Sequence, residues 1–323
     1  MNAIVQPRFI DLAPGLEGVR DAVHAGLARM PKELPAWLFY DAAGSKLFER
    51  ICDQPEYYPT RTELAIFQAF GREIAETLGA GCRLIELGSG SNRKARTLLR
   101  VLRRPEGYVA IDVSGEQLRG AVCELAAEFP TIPMTGIVGD YGGAQPLPLD
   151  DVGGTRQVAF FPGSTIGNMH PQEARDFLAP WAQRLAGGGM LVGVDLVKPE
   201  PILHAAYNDA AGVTAAFNRN MLRRINRELG ADFLPERFAH DAFWQEGPSR
   251  IEMHLVSRER QRVVVGDRAF DFRDGESIHT ENSYKYTVEG FRRLARTAGF
   301  EPVECWTDPQ GWFSVHFIAA PAA

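Results

Sequence analysis

Apolar residues at Leu64, Phe67, Phe70, Ile74 and Leu78 share one helical side, and Gly79 follows as a stop. Thr60 and Glu63 have the spacing of a capping box at the start of that helix. A short apolar run, Cys82 to Leu87, then ends in Gly88-Ser89-Gly90, and Ala95, Leu98, Leu99 and Leu102 restore the helical period. The alternation repeats. Tyr108 to Val113 reads as a strand, and Ser114 can cap a helix that buries Leu118, Val122, Leu125 and Phe129. Thr135 to Gly139 and Val158 to Phe161 read as strands. Pro171 opens a helix running to Leu185, and Met190 to Val197 is a fifth strand after the glycines at 187–189.

The rhythm changes after Val197. Residues 199–230 are expected to be helical, with Gly230 as a stop. From Arg250 the period becomes two, with Ile251, Met253 and Leu255 alternating with Glu252 and His254. Val263 to Val265 and Ala269 to Phe272 flank the Gly266-Asp267 turn. Phe291, Leu294, Ala295 and Ala298 form a last helical face before Gly299, and Pro302 to Trp306 and Trp312 to Ala319 form a closing hairpin. Strands alternating with helices predict a parallel α/β sheet with right-handed crossovers. A doubly wound sheet that ends in a C-terminal hairpin resembles the class I methyltransferases. The core is expected over 60–198, completed by 288–323. A discontinuous α+β substrate-binding domain is expected over 199–287, completed by 1–59.

With 323 residues the chain has room for two such units. Its 45% hydrophobic and 24% charged content is that of a soluble globular protein. A net charge of −6 argues against nucleic-acid or anionic-membrane partners. No secretory signal and no apolar run of membrane length is read. Cys52, Cys82, Cys123 and Cys305 form no CxxC pair, so reduced thiols, the cytoplasm and no metal are expected. His170, His204, His254 and His279 have no ligand-like spacing and read as structural or surface residues.

The chemistry gathers at strand ends. Glu86-Leu87-Gly88-Ser89-Gly90 lets a ligand approach the backbone closely. Arg93 stands where a dinucleotide fingerprint wants Gly or Ala, which disfavours a nicotinamide oxidoreductase, and no Gly-Lys-Ser/Thr phosphate loop is present. Asp112, ending the second strand, can accept both hydrogens of a ribose diol. Asp140 and Tyr141, ending the third, suit an adenine amino group and ring. Lys94 can meet the methionine carboxylate. A glycine loop including Gly88 and Gly90, then an acid, then an acid with an aromatic, points to S-adenosylmethionine. After the fourth strand, Asn168 offers an amide to an acceptor amine or carboxylate.

Tyr40-Asp41, Glu56-Tyr57-Tyr58-Pro59-Thr60-Arg61, Glu86 to Gly90, Gly163 to Asn168, Ala206-Tyr207-Asn208-Asp209 and Glu281-Asn282-Ser283 occur in this order. Together they closely resemble the histidine-specific Nα-methyltransferases of ergothioneine biosynthesis, from about Ala36 to Phe317. The resemblance implies three methyl transfers from S-adenosylmethionine to the α-amino nitrogen of L-histidine, giving hercynine. It implies cofactor positions at Gly88, Lys94, Asp112, Asp140 and Tyr141. It implies that Tyr58, Asn168 and Tyr207 hold the amine and carboxylate, with Tyr58 and Asn168 closest to the chemistry. Glu281 and Ser283 would read the imidazole, and Tyr40 and Met253 would line that end. Ser91-Asn92-Arg93 is the variable stretch after the loop.

The alternative acceptor is another free amino acid such as tryptophan. Glu281 and Ser283 weigh against it, because an indole pocket prefers apolar walls. A binding module without turnover and a nucleic-acid methyltransferase fit the charge and the Tyr58, Asn168, Tyr207 and Glu281 set less well. A monomer is expected.

Overall fold

Leu84 and Ile85 are neighbours on one strand, yet they belong to two different hydrophobic cores. This follows from the two-residue period of a strand, and it makes both faces of the sheet buried. The computed structural model describes residues 6–12, 15–142, 147–149 and 156–322. By compactness the chain divides into two units, Met1–Ala13 with Pro59–Val197 and Lys285–Ala323, and Pro14–Tyr58 with Lys198–Tyr284.

The first unit is built on eight strands: β1 (Arg8–Asp11), β2 (Cys82–Leu87), β3 (Gly107–Asp112), β4 (Met134–Val138), β5 (Arg156–Phe161), β6 (Gly189–Asp195), β7 (Glu301–Thr307) and β8 (Phe313–Ala319). Their order across the sheet is β1-β4-β3-β2-β5-β6-β8-β7. Pairing is parallel from β1 to β6, and β8 runs antiparallel between β6 and β7. This is the doubly wound sheet with a terminal hairpin that the alternation implies. Helices α1 (Tyr58–Leu78), α2 (Arg93–Leu99) and α3 (Gly115–Glu128) supply Phe67, Ile74, Leu98 and Val122 to one core. Helices α4 (Pro171–Arg184) and α5 (Val288–Thr297) supply Leu178, Trp181 and Phe291 to the other.

Two local readings change. Strand β1 is absent from the sequence pattern, and residues 8–11 join the large sheet instead of completing the α+β unit. Helix α1 begins at Tyr58, so Thr60 lies inside it and Glu63 does not act as a capping-box acid. The Glu63 carboxylate instead accepts from the Gly163 amide.

The second unit has a four-stranded sheet ordered Lys32–Glu33, Ser277–Tyr284, Arg250–Ser257, Phe238–Gln245, and a separate hairpin of Gln261–Val265 with Arg268–Phe272. Helices Leu16–Leu27, Ala42–Cys52, Glu200–Tyr207 and Val213–Leu229 accompany them. Ile251, Met253 and Leu255 are buried as their alternation predicts. Three strands of this sheet escape the pattern, the shortest being the two-residue Lys32–Glu33. Phe238–Gln245 buries only Phe238 and Ala242, and Ser277–Tyr284 buries the polar Thr280, Asn282 and Ser283. Among the described residues no helix is long and apolar enough to cross a membrane.

Candidate active site

In the first unit the predicted cofactor residues converge at the carboxyl ends of β2, β3 and β4. Gly88 has φ +77°, a conformation that L side chains rarely adopt. A Cβ there would lie 3.5 Å from the Tyr141 ring, so the glycine loop and the end of β4 face each other closely. The Asp112 carboxylate takes the Gly90 amide at 3.1 Å on one oxygen and the Ser114 amide at 2.8 Å on the other. The Val113 and Ser89 amides also donate to this carboxylate, so the glycine loop and the head of the next helix fix its orientation at the strand end. Burial raises the Asp112 pKa above the ordinary carboxylate value, and these amide bonds oppose the rise. Tyr141 stands edge-on to Phe161 and Phe177, with centroids 5.7 and 6.0 Å away, which forms an aromatic wall for a flat ring. Asp140 is exposed and accepts from the Gly142 amide at 2.8 Å. Ser89 places a buried hydroxyl in the same loop with no hydrogen-bond partner among the described residues. An orphaned donor beside a glycine cradle, an acid and an aromatic wall fits S-adenosylmethionine.

Lys94 is not a solvated helix residue. Its ammonium lies 2.5 Å from the carboxylate of Glu63, whose side chain is fully buried. That carboxylate also accepts the Gly163 amide at 3.0 and 3.1 Å. One buried acid therefore ties α1, the head of α2 and the loop after β5 together. A Cβ at Gly193 would sit 2.0 Å from the Glu63 oxygen, so β6 leaves this acid its room. The same loop carries Ser164 at φ +57° and ends its 3-10 turn at the half-buried Asn168. The Ser164 hydroxyl accepts from the Asp195 amide at 2.9 Å, and Asp195 forms a fully buried ion pair with Lys285 at 2.8 Å. Glu86, at the end of β2, is buried against the Tyr108 hydroxyl, and burial pushes its carboxyl up to about 8.

In the second unit a bulge decides the face on which the predicted imidazole readers stand. His279 pairs with His254, but Glu281 pairs with Met253 instead of Glu252. The extra residue is Thr280, whose single hydroxyl hydrogen is shared between the Met253 carbonyl at 3.0 Å and Asn218 Oδ1 at 2.9 Å. Across an antiparallel pair, opposed residues share a face. The bulge thus turns Glu281 onto the face of Met253 and Ile251, with Ser283 opposite Ile251, and leaves His279 on the other face. The Tyr207 hydroxyl donates to Ser283 Oγ at 2.6 Å. Tyr207 is held in turn by its carbonyl, 2.9 Å from His240 Nε2. Tyr40 follows the 3-10 turn Ala36–Phe39, edge-on to Phe48 and Phe217 at 5.8 Å.

Tyr58 is buried, and Lys198 donates to its hydroxyl at 2.8 Å while standing 4.4 Å from the ring centroid. One face of that ring therefore already meets a cation. Tyr57 was not singled out by its neighbours in sequence. Burial pushes its phenol well above the ordinary value, and negative charge on Tyr207, Tyr40 or Glu281 would push it further. Tyr57 stands edge-on to Phe48 with centroids 6.2 Å apart, and Tyr40 packs edge-on against the same Phe48. Three motif residues are structural instead. Asn208 donates to the Ala242 carbonyl at 2.9 Å, Asp209 accepts the Val213 and Thr214 amides at 2.7 Å, and Asp41 accepts the Gly44 amide at 2.7 Å. Lys198 and Asp195 carried no sequence signal and Glu63 a misleading one, because their partners lie tens of residues away.

Comparison with known proteins agrees with this geometry. The family described as histidine-specific, SAM-dependent methyltransferases matches residues 19–320. A histidine N-alpha-methyltransferase of Mycolicibacterium smegmatis is 44% identical over 306 residues, covering 93% of this chain and 94% of that protein. One from Mycobacterium tuberculosis is 40% identical over 307 residues, with the same shares of 93% and 94%. Ergothioneine biosynthesis protein 1 of Neurospora crassa is 32% identical over 285 residues, covering 86% of this chain and 32% of that longer protein. With a match along nearly its whole length and the glycine cradle, acids and aromatic wall in place, the chain belongs to the histidine-specific, S-adenosylmethionine-dependent methyltransferase family.

Proposed function

We propose that this protein methylates the α-amino nitrogen of L-histidine three times in succession, giving the betaine hercynine. The observation that carries this reading is the pairing of Glu281 and Ser283 on one sheet face, with Tyr207 donating to Ser283. A neutral imidazole has one N–H donor and one bare nitrogen. The Glu281 carboxylate can accept from the first. Ser283 accepts the Tyr207 O–H, and its own hydroxyl can donate to the second. An acceptor without those nitrogens forgoes both hydrogen bonds, which selects against it.

Bound S-adenosylmethionine supplies an electrophilic methyl carbon on a sulfonium. Asp112 would hold its ribose diol, Tyr141 with Asp140 its adenine, Lys94 its carboxylate, and Gly88 and Gly90 the close backbone approach. The leaving group is already good, so orientation is the main lever and the transfer needs no metal as Lewis acid. The histidine amine must be unprotonated to attack. Tyr58 and Asn168 can hold it through neutral hydrogen bonds, which do not stabilise an ammonium as a carboxylate would. The Tyr207 oxygen, which donates its O–H to Ser283, can accept from an amine N–H. Tyr40 and Met253 would close the imidazole end. No strong base is required in this scheme, and protons leave through water or Tyr58.

The reading includes a monomer acting in the cytoplasm, the second part resting on cysteine spacing that offers no CxxC pair. Gel filtration at the mass of one chain checks the first part. The main test is mass spectrometry of a reaction with S-adenosylmethionine and all twenty amino acids. Conversion of histidine alone, through to the trimethyl product, is expected. Methylation of another amino acid overturns the roles of Glu281 and Ser283, and a product that stops at one or two methyl groups overturns the three-step scheme.

A further inference from the structure

We propose that Glu252, His254 and His279 form a binding site for a divalent transition metal of the Zn²⁺ class, on the sheet face opposite Glu281 and Ser283. The bulge at Thr280 is what leaves His279 on this face, directly across from His254, while Glu252 lies two residues before His254 on the same strand. Their donor atoms all lie within 4.8 Å of one another, and all three residues are half-buried. His254 Nε2 stands 3.0 Å from Glu252 Oε2. Two ligands about 2.1 Å from one ion and at right angles lie roughly 3.0 Å apart, so this pair already has the separation of neighbouring ligands.

The surrounding groups are those that orient metal ligands. A ligating histidine commonly gives its other ring N–H to a hydroxyl, carbonyl or carboxylate. Ser277 Oγ lies 3.3 Å from His254 Nδ1, and the Glu281 carbonyl lies 3.0 Å from His279 Nε2. Arg250 grips the other Glu252 oxygen through Nε at 2.8 Å and Nη2 at 2.5 Å, which fixes the carboxylate with Oε2 toward the histidines. Phe243 stacks on His254 with centroids 5.1 Å apart and planes at 14°, holding the ring in place. Two imidazoles and one carboxylate, with positions left for water, suit Zn²⁺, Co²⁺, Ni²⁺ or Cu²⁺ and not Ca²⁺ or Mg²⁺. Arg250 places a positive charge next to the ion and makes the site moderate in affinity. The ion would clamp Arg250–Ser257 to Ser277–Tyr284 at the bulge, a structural role that does not depend on which amino acid is methylated.

The test uses the full chain without a histidine tag, stripped with a chelator and titrated with Zn²⁺ by calorimetry and with Co²⁺ by visible absorption. One equivalent is expected to bind, to raise Tm, and to give cobalt bands of nitrogen and oxygen ligation. His254→Gln and His279→Gln are each expected to weaken binding about tenfold or more. Absence of saturable binding to the wild-type chain overturns the proposal and leaves an ordinary His–Glu–Arg hydrogen-bond network. Sulfur-to-cobalt charge-transfer absorption overturns it by placing the ion on a cysteine, as does binding that survives both substitutions. Should one variant fail to fold, the wild-type titration and the cobalt spectrum still decide.

Discussion

Lys94 and Glu63 meet at 2.5 Å across two helices, and the acid of the pair is fully buried. Lys94→Met would leave an uncompensated carboxylate in the core, a change that costs about 3–5 kcal/mol when an ion pair is buried. Chemical denaturation is expected to show a loss toward the lower end of that range, because Lys94 keeps some contact with water. Calorimetry should show weaker S-adenosylmethionine binding as well. Unchanged cofactor affinity in a folded Lys94→Met protein would remove Lys94 from the cofactor site.

Glu281 depends on Thr280 for its face. Thr280→Val removes the one O–H that Asn218 and the Met253 carbonyl share, and the loss is expected to cost about 1–3 kcal/mol. Steady-state kinetics should show a raised KM for histidine in both Thr280→Val and Glu281→Gln. Cofactor affinity should stay at the wild-type level in each. A matching drop in cofactor affinity would mean that the substitutions disturb more than the imidazole site.

Lys198 touches the proposed amine-holding residue through the Tyr58 hydroxyl. Hydrogen bonds to charged groups contribute about 1.5–3 kcal/mol, so Lys198→Met is expected to lower kcat/KM about tenfold or more. Tyr58→Phe is expected to keep measurable turnover that rises with pH as the free amine fraction grows. Trace activity at every pH and at saturating histidine would instead demand a base at this position.

Two buried groups set opposite pH limbs of stability. Glu86 has its pKa raised to about 8 by burial, against the Tyr108 hydrogen bond and the Lys94 charge. The folded chain therefore holds a proton that the unfolded chain has lost above about 4.5. The stability due to Glu86 is complete below that value and disappears as pH rises toward about 8. His316 is the reverse, lowered to about 3 by burial and then by Arg292. Its contribution is complete above about 6.5 and is lost as pH falls toward about 3. Thermal melts from pH 4 to 9 should show Glu86→Gln flattening the alkaline limb and His316→Gln the acid limb. If Glu86→Gln leaves the alkaline limb as steep as before, Glu86 is ionised in the folded protein.

The sheet was legible from sequence because each strand from Cys82 to Asp195 is a short apolar run between helices of clear period. Burial on both faces demands such runs, and chain alternation demands parallel order. The glycine loop, Asp112 and Asp140-Tyr141 were legible too, since each sits at the end of one of those strands. Strand Arg8–Asp11 was not, because four residues at a sheet edge carry too little periodicity to stand out.

Tertiary structure alone decided the rest. Glu63 looks like a capping acid in the chain and becomes the buried anchor of Lys94 and Gly163, since only packing brings Gly163 to it across 100 residues. Ser277–Tyr284 is too polar to announce itself as a strand. Its partners Met253 and Asn218 supply the hydrogen bonds that make Thr280 a bulge, and the bulge gives Glu281 one face and His279 the other. The sequence by itself determined which residues alternate, cap and turn, because those preferences act within a few positions. Which buried charges meet, and on which side of a sheet a reader of substrate stands, depends on partners far along the chain and is settled only when they pack.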